Sequence, residues 1–242
     1  ALQTYGASGW FNYTDANGNT QAYRTLAATR NANPNLKWEK TGMFNVGIDF
    51  GFLNNRLTGT IEYYDKRTKD LINEYAVSTN RFPDGWMNAN VGEISNKGVE
   101  LTINATPVKS RNFTWDTSLN WSHNKNEVVS LSNSAYSVDY LDKAYLNLGG
   151  YSTVNVQRIM EGEPIGTFYT WKWAGYDDSG ASVCYQFNED GTPVMEAEGK
   201  QATTGDPQTK DKVKCGSAQP KLTYGWNNTF SYKNWALTAF IQ

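Results

Sequence analysis

The sequence has no long hydrophobic run, so no segment reaches the roughly 18 apolar residues that would mark a membrane helix. That absence leaves membrane β-strands open, because they show only short segments alternating outward and inward. Histidine occurs once, at His123, which removes support for a multi-histidine metal site or a Ser-His-Asp relay. An excess of basic charge is also lacking: the formal net charge is -2, and no nucleic acid partner is expected. Cysteine occurs twice, at Cys184 and Cys215. In an oxidising compartment these two would close a long loop as a disulfide, and two free thiols are the other reading. Carboxylates at Asp177-Asp178 and Glu189-Asp190 lack the alternating oxygen ligands of a calcium loop, so plain surface acidity is favoured over calcium. No acid, base or nucleophile set for an enzyme is found.

What the chain does contain is strand chemistry. Aromatics make up 14% against 39% hydrophobic residues in total, with many Asn, Thr and Ser, a mixture that favours strands and turns over helices. Phe44, Val46, Ile48, Phe50 and Phe52 alternate with Asn45, Gly47, Asp49 and Gly51. After Leu53-Asn54-Asn55-Arg56 the alternation resumes through Leu57, Gly59, Ile61 and Tyr63. A period of two puts apolar residues on one face and polar residues on the other. The Asn-Asn pair suits the turn, since asparagine tolerates positive φ.

A second hairpin carries Val99, Leu101, Ile103 and Ala105, turns within Pro107 to Asn112, and returns through Phe113, Trp115, Leu119 and Trp121. A third runs from Leu222 to Tyr232, turns at Lys233-Asn234 and returns to Ile241. Two further strands are expected at 153–160 and 166–176. Residues 1–35 read as loop-like at first sight, with a turn at 15–18 between the short runs Trp10 to Thr14 and Thr20 to Leu26. Long loops are expected at 72–91, 132–151 and 177–220, broken in the last by Val183 to Phe187 and a short pairing at Val194-Met195.

Three tight turns thus alternate with long connections. In an antiparallel meander all short turns then fall on one rim and all long loops on the other, which fits an outer membrane barrel better than a soluble sandwich. Phe52, Phe113, Trp115, Tyr232 and Trp235 cluster beside the short turns as one aromatic girdle. Val46, Ile48, Phe50, Leu101, Ile103 and Leu119 are the expected lipid-facing set. Phe82, Trp86, Tyr136, Tyr140, Tyr145 and Tyr185, in the long loops, are the candidates for ligand or partner contact. The alternative is a soluble or cell-surface all-β glycan-binding module, in which the apolar faces would meet a second sheet.

Several ordered motifs carry a family resemblance. Asn33-Pro34-Asn35-Leu36-Lys37-Trp38-Glu39-Lys40-Thr41, Asn45 to Phe50, and Leu53 to Gly59 with Tyr63-Tyr64 are the first. Asn90 to Glu100, Trp115 to Asn126, Gly162-Glu163-Pro164-Ile165-Gly166 and Pro220 to Asn234 follow in order. Together they resemble the barrel of the SusC/RagA family of TonB-dependent outer membrane transporters of Bacteroidota.

The resemblance implies an all-β chain forming part of a large transmembrane barrel of about 22 strands, embedded in outer membrane lipid and lipopolysaccharide. It further implies a SusD-like surface lipoprotein as lid, energisation by TonB with ExbB-ExbD through a plug region, and an oligosaccharide or peptide as cargo. On this reading residues 1–242 are one partial barrel domain, an internal piece without plug or final strands. The Asp-x-Asn-Gly-Asp-Gly-like loop of many relatives is not matched at Gly205-Asp206-Pro207, so no cofactor or metal site is carried over.

Overall fold

The computed structural model describes residues 2–146 and 154–242. Gly149-Gly150 and the first residue of the strand expected at 153–160 lie outside the described residues. Strand β1 (Thr4–Thr14) pairs with β2 (Thr20–Arg30), and β3 (Lys40–Phe52) is followed by β4 (Leu57–Lys69). A short pair, β5 (Ile72–Ala76) and β6 (Trp86–Asn90), precedes the long β7 (Glu93–Lys109) and β8 (Phe113–Ser130). Then come β9 (Tyr140–Leu146), β10 (Val154–Met160), β11 (Thr167–Trp171), β12 (Trp173–Tyr176), β13 (Ser182–Tyr185), β14 (Thr203–Thr204) and β15 (Lys212–Ser217). Strands β16 (Thr223–Tyr232) and β17 (Trp235–Ile241) come last, and among the described residues one 3-10 turn, at Thr209–Asp211, interrupts the series.

Six strands form the main sheet in the order β17-β16-β8-β7-β4-β3. With the insertions set aside, that order is the order of the chain, which is the expected meander. Hairpin β5-β6 is inserted between β4 and β7. Between β8 and β16 lie a four-stranded sheet, β15-β11-β10-β9, and a three-stranded one, β12-β13-β14. The strands expected at 153–160 and 166–176 therefore exist, but they belong to these smaller sheets.

All three tight turns form. Leu53, Asn54 and Asn55 take positive φ of 55°, 55° and 62°, as the hairpin twist requires. The Arg56 guanidinium donates to the carbonyls of Thr106 and Pro107 at 2.8–3.2 Å, and the Lys233 amide donates to the Asn112 carbonyl at 2.9 Å. These bonds tie neighbouring turns side by side, so the short connections share one rim.

The long loops are more ordered than the sequence reading allowed. Residues 4–30 form a hairpin of two 11-residue strands. Its alternation is hidden because Gly9, at φ 44°, marks a register shift between Ser8 and Trp10, after which the side chains change face. Segment 72–91 is a hairpin too, closed by Val77 N–H to the Gly85 carbonyl at 2.8 Å. Strand β15, in the region read as polar loop, bulges at Cys215 opposite Phe168 and Tyr169.

By contacts the chain divides into two units: 1–42 with 68–93 and 130–138, and 43–67 with 94–129 and 139–242. The first has a small core of Tyr75, Ala89 and Val91, with Tyr136 and Val138 against it. In the second, the apolar face of the six-stranded sheet stays uncovered among the described residues. Ile48 is 69% exposed and Leu237 66%, with Phe44, Val46, Phe52 and Ile61 also exposed. A sandwich would bury these side chains beneath a second sheet.

Candidate functional site

The two faces of the sheet differ in chemistry. On one face hydroxyls and amides bond across strands. Thr60 donates to Asp49 at 2.6 Å, Thr106 to Asp116 at 2.6 Å, Thr102 to Asn120 at 3.1 Å and Asn126 to Asn96 at 2.8 Å. Tyr64 lays its ring across Gly98, where a side chain would collide with it, and donates its hydroxyl to Asn124 at 3.0 Å. This is a wall that satisfies its own polar groups.

The other face carries Val46, Ile48 and Phe50 on β3, Leu101 and Ile103 on β7, and Leu119 on β8, at positions alternating with the bonded polar residues. Its polar members are covered. Trp115 stacks on Phe230 at 5.7 Å and donates its indole N–H to Asn228 Oδ1 at 3.0 Å, and Trp226 does the same for Thr117 Oγ1 at 2.8 Å. Residues Thr117 and Asn228 are directly paired across β8 and β16, so two indoles neutralise the one polar pair on that stretch. Phe50 in turn packs over Gly59.

Among the loop candidates the first unit brings Phe82 and Tyr136 together. A cleft of about 530 Å³ is lined by Tyr75, Arg81, Phe82, Tyr136 and Val138. Its floor is Tyr75, 1% exposed, whose hydroxyl donates to the carbonyls of Val91 and Leu131 at 3.1 and 3.3 Å. Burial pushes the Tyr75 phenol pKa up. Tyr136 lies 5.6 Å from the Tyr75 ring and 3.2 Å, through its hydroxyl, from Met87 Sδ.

Trp86 does not join the cleft lining; it is exposed on β6. Asparagines hold this hairpin to the preceding segment. Asn31 donates to the Asp84 and Trp86 carbonyls at 2.5 and 2.8 Å, Asn33 to Asn88 at 2.8 Å, and Asn90 exchanges bonds with the Lys37 backbone at 2.8 Å. The buried Asn31 and the floor residue Tyr75 were not among the expected site residues. Neither sits in a periodic stretch, so only the packed loop shows them.

In the second unit, Tyr140 forms half of a sandwich. The Arg158 guanidinium lies 3.5 Å from the Tyr140 ring and 3.9 Å from Tyr169, and pairs with Asp142 at 2.8 Å. Tyr145 is exposed at the end of β9, and Tyr185 has Lys172 at 5.6 Å. Of the six loop aromatics, only Phe82 and Tyr136 thus share a place among the described residues.

Of the two readings that the sequence left open for Cys184 and Cys215, the structure has the free thiols. Cys215 occupies the β15 bulge, with its sulfur 3.5 Å from the Thr170 carbonyl. Burial, with Asp211 and Cys215 nearby, pushes the Cys184 thiol up. Of the four carboxylates weighed for calcium, Asp177 and Asp190 cap their own turns. Asp177 accepts from Ser179 and Ala181, and Asp190 from Thr192; those bonds, the Ser179 and Thr192 hydroxyls foremost, hold both carboxyls below their ordinary pKa. His123 Nδ1 lies 2.5 Å from the Lys221 carbonyl, as a hydrogen-bonded strand residue.

Residues 3–240 match the family described as TonB dependent receptor-like, beta-barrel. The chain belongs to this family. Receptor barrels of this kind lie in the cell outer membrane, and the SusC/RagA resemblance seen in the motifs holds. The chain is 31% identical over 229 residues to TonB-dependent receptor P3 of Formosa agariphila, covering 92% of this chain and 22% of that protein. It is 36% identical over 161 residues to TonB-dependent receptor SusC of Bacteroides thetaiotaomicron, covering 66% and 16%. A solved structure of the RagAB peptide transporter superposes with a TM-score of 0.70 at 23% identity, over 99% of this chain and 24% of that one, which shows a shared fold. The receptor segment therefore spans about a fifth of the curated relatives' length.

Proposed function

We propose that residues 1–242 form wall and external loops of an outer membrane importer of oligosaccharides or peptides, one partial barrel domain whose plug and closing strands are supplied elsewhere in the full protein. The segment does no covalent chemistry. Its partners are a SusD-like lipoprotein lid, TonB with ExbB-ExbD acting through the plug, and the lipid and lipopolysaccharide around it. One observation carries the reading: a sheet with one uncovered apolar face, one internally bonded polar face, and all its tight turns on one rim. Lipid covers the first face and the aqueous lumen the second.

Paired substitutions test the assignment. Leu101→Lys places a charge in lipid and costs roughly 2 to 4 kcal/mol near the midplane, whereas Thr102→Lys points into the lumen. Assembly of each full-length variant in the outer membrane, read as heat-modifiable folded protein, should fall for the first and not for the second. Equal yields would reject the faces.

A further inference from the structure

An aromatic corner on the β12-β13 hairpin is used by neither the wall nor the loop cleft. Trp173 is 58% exposed and Tyr176 70%, yet their rings meet edge to face, 5.5 Å apart at 81°. Strict alternation would put residues 173 and 176 on opposite faces. A bulge between Trp173 and Gly175, with Gly175 at φ 122°, turns Tyr176 onto the Trp173 side. A side chain at that φ would be strained. The Trp173 indole N–H donates to Ser182 Oγ at 2.9 Å, fixing the ring from the opposite strand. Asp177 then locks the connecting turn by accepting from the Ser179 and Ala181 amides at 2.9 Å. Two apolar rings are thus held rigid in water, and among the described residues the Tyr176 hydroxyl has no hydrogen-bond partner.

We infer that this corner binds a pyranose ring of a neutral glycan, stacked on the Trp173 indole with a sugar hydroxyl bonded to Tyr176. The C–H face of a pyranose is apolar and weakly positive, which matches the negative face of an indole, while its rim of hydroxyls needs polar partners beside the ring. Here those partners are the Tyr176 phenol and the Ser182 hydroxyl, which accepts from the indole and keeps its own proton to donate. A peptide would instead use a hydrophobic pocket or a free strand edge. Both rings stand exposed at the corner, and the bulge interrupts the β12 edge. This inference rests on the importer reading for its source of glycan and narrows the cargo class.

The test is hydroxyl-radical footprinting of the full-length receptor in outer membrane vesicles, with oxidation at single residues read by mass spectrometry. The probes are cellohexaose, xylohexaose, mannohexaose and maltoheptaose, with a tryptic digest of casein as the peptide arm. Trp171, whose N–H is held by the Gln208 carbonyl at 2.8 Å, reports whether the neighbouring loop is intact. At least one oligosaccharide should slow oxidation of Trp173 and Tyr176 about threefold or more, with Trp171 unchanged. Trp173→Ala should weaken binding of that sugar about tenfold, and Trp173→Phe by less. Protection by the peptide digest, protection by none of the probes, or glycan binding that leaves Trp173 unprotected would each overturn the inference. The importer reading fails separately, by equal assembly of the Leu101→Lys and Thr102→Lys variants.

Discussion

Asp211 shows how one carboxylate organises a loop. It is 1% exposed, its Oδ1 accepts the Phe187 N–H at 2.9 Å and its Oδ2 the Gln208 N–H at 2.8 Å. Burial pushes its pKa up, but the two amide donors and the Lys210 charge together outweigh burial and leave it below the usual 3.8. Because the folded pKa is depressed, its stabilisation is fully present above the unfolded value near 3.8 and is lost as pH falls through the lower folded value. Hydrogen exchange at the Phe187 and Gln208 amides should therefore be independent of this group at neutral pH and show local opening only in strong acid. Asp211→Ala leaves the buried Phe187 N–H and the part-buried Gln208 N–H unpaired, at about 2 kcal/mol, and should speed exchange at those amides roughly 30-fold at neutral pH. Unchanged exchange would show that the loop is held by something else. From the sequence, Asp211 was one more acidic residue in a polar stretch; its role depends on Phe187 and Gln208, which reach it only after folding.

Hairpin β3-β4 was legible at the scale of the element because every local signal agrees: strict alternation on both arms and turn residues that accept positive φ. Asn55, at φ 62°, is the position to test. Asn55→Val puts a β-branched residue in the left-handed region and should destabilise the folded receptor by about 1–2 kcal/mol, seen as a lower urea midpoint of the vesicle-embedded protein. A midpoint equal to wild type would mean that the turn relaxes to another conformation. Hairpin β1-β2 was legible only in its turn and the short runs beside it, although its strands are long. Its Gly9 bulge breaks the period of two exactly where an apolar face would be counted, and exposed Trp10 and Phe11 follow one another on opposite faces. Hairpin β5-β6 was missed for another reason. Its buried stripe, Met87, Ala89 and Val91 against Tyr75, is short and interrupted by asparagines, and the side chains of Asn31, Asn33 and Asn90 hold it in place.

For the whole molecule the assignment of faces makes a labelling prediction. With Cys184→Ser and Cys215→Ser in place, Ile48→Cys should resist a water-soluble maleimide in intact outer membranes and react after detergent extraction. Asp49→Cys, one residue on, should differ little between the two conditions; the same response from both would show that lipid does not distinguish the faces. The sequence by itself determined the all-β class, the meander, the three tight turns and the parity of the strands in the six-stranded sheet. It did so because period-two patterning and positive-φ turn residues are local properties that survive without knowledge of neighbours. Tertiary structure alone decided that two cysteines stay apart as thiols, that Phe82 and Tyr136 share a cleft while Trp86 does not, and that Trp173 and Tyr176 meet. Each of those outcomes depends on a bulge, a register shift or a side-chain bond between distant segments. Such features have no period, so only the folded chain reveals them.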